Sequence, residues 1–223
     1  MSLRSSLSLS TLFSALVLSA TAATAQVRIT EVAPWSSGNS VVAADWFELT
    51  NFGSSAVNIA GWKVDDNSNA FGSALALTGV TSIGAGKSVI FIEGTAATAS
   101  TFLSNWFGSP SYAGAVVGTY SGAGIGFGTG GDAVNIFNAA GALQARVDFG
   151  TSDAASPYQT FDNSVGLNNV LLSTLSTAGT NGAFVIASGF EIGSPSLVPE
   201  PETYAMLLAG LGLIGAATRR RKA

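Results

Sequence analysis

The sequence predicts an all-β sandwich for the body of the chain. Val, Ile and Phe are abundant beside many Gly, Ser, Thr and Ala, and only 10% of residues are charged. Short apolar or alternating runs recur, and clusters of turn-forming residues separate them. Between the two termini only one possible helical turn stands out, around Thr98–Trp106. Several short strands with such punctuation are typical of an antiparallel sandwich or barrel.

Eight segments have the pattern of strands. In chain order they are Val27–Val32, Asp45–Thr50, Val57–Ile59, Trp62–Asp65, Ser88–Glu93, Ala133–Phe137, Leu143–Phe149 and Ala183–Ala187. Turn residues such as Asn51–Ser55 and Gly84–Gly86 lie between them. The segments on either side of Asn138–Gly141 predict a hairpin, because alternating apolar residues flank a short turn. Its core candidates are Val134, Ile136, Val147 and Phe149.

Three of these segments resemble, in order, the first strands of a lamin tail domain. They are Arg28-Ile-Thr-Glu-Val32, Asp45-Trp-Phe-Glu-Leu-Thr-Asn51 and Val57-Asn-Ile-Ala-Gly-Trp-Lys-Val-Asp65. Ile83–Ile92, with Ala85 where Pro is usual, and Gly131–Asp148 continue the pattern. The resemblance runs from about Val27 to Phe149 and implies an immunoglobulin-like β-sandwich over residues 26–150. Residues 151–197 lie past it, as either an extension that packs on the domain or a linker.

The composition of the body excludes several classes of function. Residues 26–198 contain four basic and eleven acidic residues, which leaves a net charge of −7. Nucleic-acid binding is not expected, because phosphate neutralisation needs clustered Lys and Arg. The chain has no Cys, so an exported form must rely on its apolar core instead of disulfides. It also has no His, which removes the Ser-His-Asp arrangement and most zinc sites.

Three glycine-rich segments imitate cofactor motifs. Gly210–Gly215 satisfies G-x-G-x-x-G, but the chain ends eight residues later, without the βαβ unit that this fingerprint requires. Gly84–Ser88 resembles the end of a P-loop, yet a strand follows it instead of a helix, so we expect a turn before a strand. Gly118–Gly131 has no nearby cation and is expected to be a flexible loop or a bulged edge strand. We therefore expect no cofactor site.

A run of oxygen-bearing side chains is the one candidate metal site. Asp65, Asp66, Asn67 and Asn69 lie close enough in sequence to ligate Ca²⁺, which takes six to eight oxygens. The run lacks the Gly and the terminal Glu of an EF-hand loop. Asp and Asn also form turns without any metal. Turn formation is the default interpretation, and calcium binding is the alternative.

Glu31, Asp45 and Glu48 are the candidates for a glycosidase-like carboxylate pair. Asp45 and Glu48 stand three residues apart on a predicted strand, and this spacing points them to opposite faces. We therefore expect no catalytic residues, and expect these acids to be exposed charges that discourage edge aggregation. Trp46 and Trp62 are expected in the core or at its corners, not on a sugar-stacking surface.

The N-terminus has the three parts of a secretory signal peptide over residues 1–25. Arg4 lies in an acid-free start, Leu12–Ala20 is apolar, and Ala23-Thr24-Ala25 gives the small-x-small cleavage pattern. We expect cleavage after Ala25.

The C-terminus also has three parts. Pro199-Glu200-Pro201 precedes an uncharged apolar run from Tyr204 to Ala217, and Arg219-Arg220-Arg221-Lys222 follows. Fourteen helical residues span about 21 Å, less than the ~30 Å hydrocarbon core, but terminal cations extend a short helix by snorkelling. We expect a transmembrane helix over residues 204–218, with the cations on the cytoplasmic side. The ending resembles a PEP-CTERM sorting signal over residues 198–223. That resemblance implies a transient inner-membrane anchor, cut near the triplet by an exosortase-type enzyme.

These features together predict an exported, non-catalytic surface or extracellular-matrix protein. Its sandwich would have a binding or structural role, with exopolysaccharide or matrix proteins as the expected partner class. The alternative is a secreted carboxylate- or metal-dependent hydrolase. A cluster of acids in one open pocket would favour that alternative.

Overall fold

A computed structural model of the chain describes residues 27–36, 40–153 and 155–196. They form one helix, α1 (Ala96–Phe107), and fifteen strands. The strands are β1 (Val27–Ala33), β2 (Trp46–Asn51), β3 (Val57–Asn58), β4 (Lys63–Asp65), β5 (Leu75–Ala76), β6 (Ser82–Ile83), β7 (Ser88–Glu93), β8 (Val117–Tyr120), β9 (Asp132–Phe137), β10 (Leu143–Phe149), β11 (Tyr158–Gln159), β12 (Phe161–Asp162), β13 (Val170–Leu172), β14 (Phe184–Val185) and β15 (Glu191–Gly193).

Two five-stranded sheets pack face to face. The first has the order β12-β1-β2-β7-β8 and the second the order β13-β10-β9-β4-β5. Their facing sides bury one core of aliphatic and aromatic side chains, which includes Ile29, Phe47, Phe91, Val134 and Val147. Period-two alternation along β2, β7 and β9 supplies Phe47, Phe91 and Val134. The fold is therefore the immunoglobulin-like sandwich that the sequence predicts.

Both open sides of the sandwich are closed by short contacts between the sheets. On one side Thr78, just after β5, pairs with Thr119 of β8 through two backbone hydrogen bonds. On the other side Leu175, just after β13, bridges to Phe161 of β12. These bridges cover sheet edges that would otherwise offer unpaired backbone groups to another chain.

Strand pairing is mostly antiparallel, with three exceptions that the sequence analysis did not foresee. The pairs β7–β8, β10–β13 and β11–β15 are parallel. Each needs a long crossover, and α1 lies in the one between β7 and β8. The predicted hairpin is present as β9 and β10, and all four of its core candidates are buried.

Helix α1 replaces the single turn expected around Thr98–Trp106. Thr95 caps its N-terminus in a capping box with Thr98, and Gly108 ends it in the left-handed conformation. Ser100, Thr101 and Ser104 donate their hydroxyls to carbonyls one turn earlier. These bonds satisfy the hydroxyl groups of Ser and Thr. Both residue types have low helix propensity, and for that reason the sequence gives a weak helical signal.

A third layer covers the outer face of the first sheet. Helix α1 and the small sheet β11-β15-β14 lie there over a second apolar core, whose largest members are Trp35, Trp46, Phe102 and Trp106. Trp35 and Trp106 are stacked with centroids 6.5 Å apart, and Trp46 meets both edge-on. Residues 155–196 therefore supply the outer strands β12 and β13 of the two sheets and much of this layer.

Several sequence predictions are confirmed within the described residues. Trp46 and Trp62 are buried, and Gly84–Lys87 forms a turn that leads into β7. The signal peptide with Ala23 and Ala25, and the sorting tail with its expected membrane helix, lie outside the described residues. Within the described ranges, no helix has the length and apolar character needed to cross a membrane.

Candidate functional site

A β-bulge in β1 brings two glutamates to the same face of the first sheet. The register between β1 and β2 shifts between Ile29 and Glu31. Simple alternation would place Glu31 on the same side as Val27 and Ile29, in the sandwich core. The extra residue instead turns Glu31 to the outer face and Val32 into the core. Glu31 thus becomes the register partner of Glu48 on β2.

Each glutamate sits in a shell of hydroxyl groups. The hydroxyl of Thr160 donates to Glu31 Oε1 and itself lies 2.6 Å from the hydroxyl of Ser176. Thr30 donates to Glu48 Oε1 at 2.7 Å, and its hydroxyl lies 2.8 Å from that of Thr50. Such shared hydrogen bonds orient the carboxyl groups and strengthen each other in a dry interior.

The last described residues, 193–196, cover the two carboxyl groups on the outer face of the first sheet. The backbone N–H of Ser194 donates to Glu31 Oε1 at 2.7 Å, and that of Ser196 donates to Glu48 Oε2. Gly193 permits this approach, because a Cβ at that position would lie 2.6 Å from Glu31 Oε1 and 2.9 Å from Thr160. Both glutamates are consequently 1% exposed.

Burial raises the pKa of both carboxyl groups. The pKa of Glu31 rises to about 8, first because its charge is removed from water and second because Glu48 faces it. The pKa of Glu48 rises to about 7, and hydrogen bonds from Thr30 and Ser196 oppose the effect of burial. Glu31 Oε2 is buried without a hydrogen-bond partner. A buried pair of like charges favours holding at least one proton.

The expectation that these acids are exposed edge charges is wrong. Glu31, Glu48 and Asp45 are all buried. Asp45 precedes β2 and accepts hydrogen bonds from the N–H groups of Ser36 and Phe127. Burial raises the pKa of Asp45 to about 6. The pair that forms is Glu31–Glu48, which the spacing within one strand could not reveal because its members lie on different strands.

The chemistry open to this pair is limited by its enclosure. A glycosidase needs its two carboxyl groups on either side of a bound sugar. Here backbone from Gly193 to Ser196 occupies the space above the pair. The arrangement can hold a proton and fasten a peptide segment.

The candidate calcium run forms a hydrogen-bonded loop. Asp65 is fully buried and accepts hydrogen bonds from the Ser68 hydroxyl at 2.7 Å and the Ala70 N–H at 2.6 Å. Asp66 accepts from the Ser68 N–H, and Asn69 adopts a left-handed backbone with φ 49°. Asn67 donates its backbone N–H to Asp132. Within the described ranges, no three Asp or Glu side chains come together at a metal-sized spacing. The loop has the turn structure of the default interpretation, and calcium binding stays the untested alternative.

A surface groove of about 250 Å³ lies at the side of the sandwich formed by residues 155–196. Polar groups of Asp162, Asn163 and Asn181 line it together with exposed apolar side chains. Val165 is 72% exposed and Leu171 is 66% exposed. Exposed aliphatic residues beside amide groups make this groove a candidate for binding another molecule. Sequence analysis missed it, because its residues belong to short strands and loops without a repeating pattern.

Comparison with known families agrees with this architecture. The family model described as Lamin Tail Domain matches residues 20–151, more than half of the chain. The fold continues past that match, since β12 and β13 complete the sheets. No curated protein matches the chain.

A second family model, the PEP-CTERM protein-sorting motif, matches residues 197–222. That range contains Pro199, Glu200, Pro201, Arg219, Arg220 and Arg221. The motif implies export, processing by an exosortase and membrane-associated sorting to the cell surface. The chain belongs to the lamin tail domain family, and its β-sandwich is followed directly by a PEP-CTERM sorting motif.

Proposed function

We propose that the protein is a non-catalytic component of the cell surface or extracellular matrix. Its sandwich acts there as a binding or structural module after the sorting tail is removed. The observation that carries the proposal is the junction at Ser196: the folded body is hydrogen-bonded up to this residue, and the sorting motif begins at the next one. Cleavage near Pro199–Glu202 would release a complete sandwich.

The enclosure of the buried carboxylates supports a non-catalytic role. Glu31 and Glu48 are the pair best placed for acid–base work, and the backbone of Gly193–Ser196 covers both. General acid–base catalysis requires the group to reach the proton that it transfers in a bound substrate.

The groove beside β12 and β13 supports a binding role. Its apolar rim and its amide side chains suit a matrix polymer, either exopolysaccharide or another protein, better than a small charged ligand. The described cations do not line this groove, so attraction to an anionic partner is not expected to drive binding.

Expression of the chain with an intact and with an altered sorting triplet tests the proposal. The full chain, and a variant in which Pro199, Glu200 and Pro201 are all Ala, are produced in a bacterium with a known sorting system. We expect the first to appear outside the cell without its tail and the variant to stay with the membrane fraction. Release of both to the same extent would contradict the proposal.

A carboxylate-dependent hydrolase remains the second candidate, because Glu31 and Glu48 face each other with raised pKa values. Purified mature protein is screened against polysaccharides and phosphoesters. We expect no turnover. Turnover that is lost in Glu31→Gln, while Glu93→Gln retains it, would establish the hydrolase instead.

A further inference from the structure

The segment that leads to the sorting motif is fastened by the two buried carboxyl groups. The Ser194 N–H bonds to Glu31 and the Ser196 N–H to Glu48. The Ser196 hydroxyl also donates to the carbonyl of Gly114 at 2.7 Å. These are the last described contacts of the body before residue 197, where the motif match starts. The two carboxyl groups therefore contact the residues that directly precede the sorting motif.

We propose that Glu31 and Glu48 form a proton-dependent clamp, which holds residues 193–196 on the first sheet while the pair retains a proton and releases them when both groups are ionised. Glu31 and Glu48 are positioning residues in this account, because they act on the peptide that presents the processing site. The role in processing rests on the proposed function; the clamp itself does not.

The surroundings of the pair explain why a proton is needed to close it. Glu31 Oε2 is buried without a partner, and one proton on this oxygen would lower the charge of the pair and supply a donor. Two facing carboxylates without such a proton repel each other in a dry site. Water entry would relieve this repulsion, and residues 193–196 form part of the cover that keeps water from both groups.

The neighbouring charged groups do not neutralise the pair. On β12, Asp162 is the register partner of Glu31 and adds to its negative environment. Glu191 on β15 accepts hydrogen bonds from the Asn105 side chain and the Val41 N–H. On β1, the Arg28 guanidinium donates to the carbonyl of Val27. On β7, Ile90 is the register partner of Glu48, and the uncharged Ser88 hydroxyl lies 2.7 Å from that of Thr50. In the described part of the chain, the one ion pair joins Arg146 and Asp148.

Closing the clamp limits the reach of the processing triplet. Pro199 follows Ser196 by three residue steps, and an extended chain covers at most about 11 Å over that length. Release of residues 193–196 moves the last attached residue back to Ile192 and adds four residues, or about 14 Å of reach. A membrane-embedded processing enzyme would therefore meet Pro199 close to the folded body when the clamp is closed, and farther from it when the clamp is open.

Hydrogen exchange of the full chain in detergent micelles tests the clamp. The protection factors of the Ser194 and Ser196 amides are measured at pH 6 and pH 9 in EDTA, each relative to the intrinsic exchange rate at that pH. We expect protection at pH 6 to be at least tenfold higher than at pH 9. In Glu31→Gln, whose amide supplies the donor at every pH, we expect high protection at both values. Glu93→Gln, a half-buried glutamate on β7, serves as the matched control and should behave like the unaltered chain.

Two results would overturn the clamp. One is equal protection of the Ser194 and Ser196 amides at both pH values in the unaltered chain. The other is a pH-dependent loss in Glu31→Gln as large as in the unaltered chain. In cells that express the protein, Glu31→Ala should change the fraction of chains whose sorting motif is processed. Hydrogen exchange of the same variant shows whether its sandwich is folded. If even the unaltered chain is never processed, the proposed function fails while the exchange result still decides the clamp.

Discussion

Glu31 and Glu48 are register partners on adjacent strands, and both carboxyl groups are buried beneath the last residues of the folded body. Like charges directly opposite on a sheet destabilise it unless they are neutralised. The bulge at Ile29–Glu31 creates this contact by turning Glu31 away from the core. The stability of the protein and the attachment of its C-terminal segment should therefore depend on the same two groups.

The first prediction concerns pH. Both glutamates have folded pKa values of about 8 and about 7, above the ordinary value of 4.5. The folded state therefore binds more protons than the unfolded state in this range. Their contribution to stability is fully present below about pH 4.5 and is lost as pH rises to about 8. We expect the melting temperature to fall between pH 6 and pH 8.5, as circular dichroism can measure.

Glu31→Gln should flatten that decline and stabilise the protein at pH 8.5 by on the order of 2 kcal/mol, since one pKa unit corresponds to about 1.4 kcal/mol. Glu31→Ala should destabilise it by about 2 to 4 kcal/mol, because Thr160 and Ser194 lose their buried acceptor. A melting temperature that rises from pH 6 to pH 8.5 would refute this account of the pair.

The second prediction concerns the outer core. Trp106 is 4% exposed and contacts Trp35, Trp46, Phe102 and Phe184. Trp106→Ala leaves a large cavity and should lower the free energy of unfolding by about 3 to 5 kcal/mol. Thr101→Ala, on the exposed side of the same helix, should change it by less than about 0.5 kcal/mol. Urea titration measures both, and equal effects would show that α1 does not pack as described.

The third prediction concerns the Asp65 loop. Asp65→Ala removes the buried acceptor for Ser68 and Ala70 and should cost about 2 to 3 kcal/mol. Because these donors already occupy the carboxylate, we expect millimolar Ca²⁺ to leave the melting temperature of the unaltered protein unchanged. A rise with free Ca²⁺ that Asp65→Ala abolishes would show instead that the loop binds calcium.

The fourth prediction concerns the groove. The double variant Val165→Ser, Leu171→Ser should weaken association with extracted matrix several-fold and leave the melting temperature unchanged, since both side chains are mostly exposed. Val185→Ser, an exposed aliphatic residue outside the groove, is the control. Sedimentation with matrix material measures the association. Equal binding by the unaltered protein, the double variant and the control would show that the groove does not bind matrix material.

Parts of the fold with a strong local signal could be predicted from the sequence. The β9–β10 hairpin has alternating apolar residues around a short turn, and its four core residues are buried as expected. The burial of Trp46 and Trp62 follows from the size and apolar character of their side chains. The family resemblance supplied the order of the early strands, which composition alone does not give.

Other parts depend on contacts that a local pattern cannot show. Strands β11 to β15 are two or three residues long, too short for a period to appear. Helix α1 contains Ser and Thr residues that weaken its helical signal in the sequence, and their hydroxyls bond back to helix carbonyls. The pairing of Glu31 with Glu48 requires a one-residue bulge, and alternation predicts the opposite face for Glu31.

The mass of the mature protein recovered outside the cell tests the central claim most directly. We expect a chain that begins at Gln26 and ends near Pro199–Glu202, so that the sandwich and its Ser196 junction are intact. An extracellular or surface form that retains Arg219–Lys222 would contradict processing of the sorting motif, and one that retains Met1 would contradict cleavage of the signal peptide.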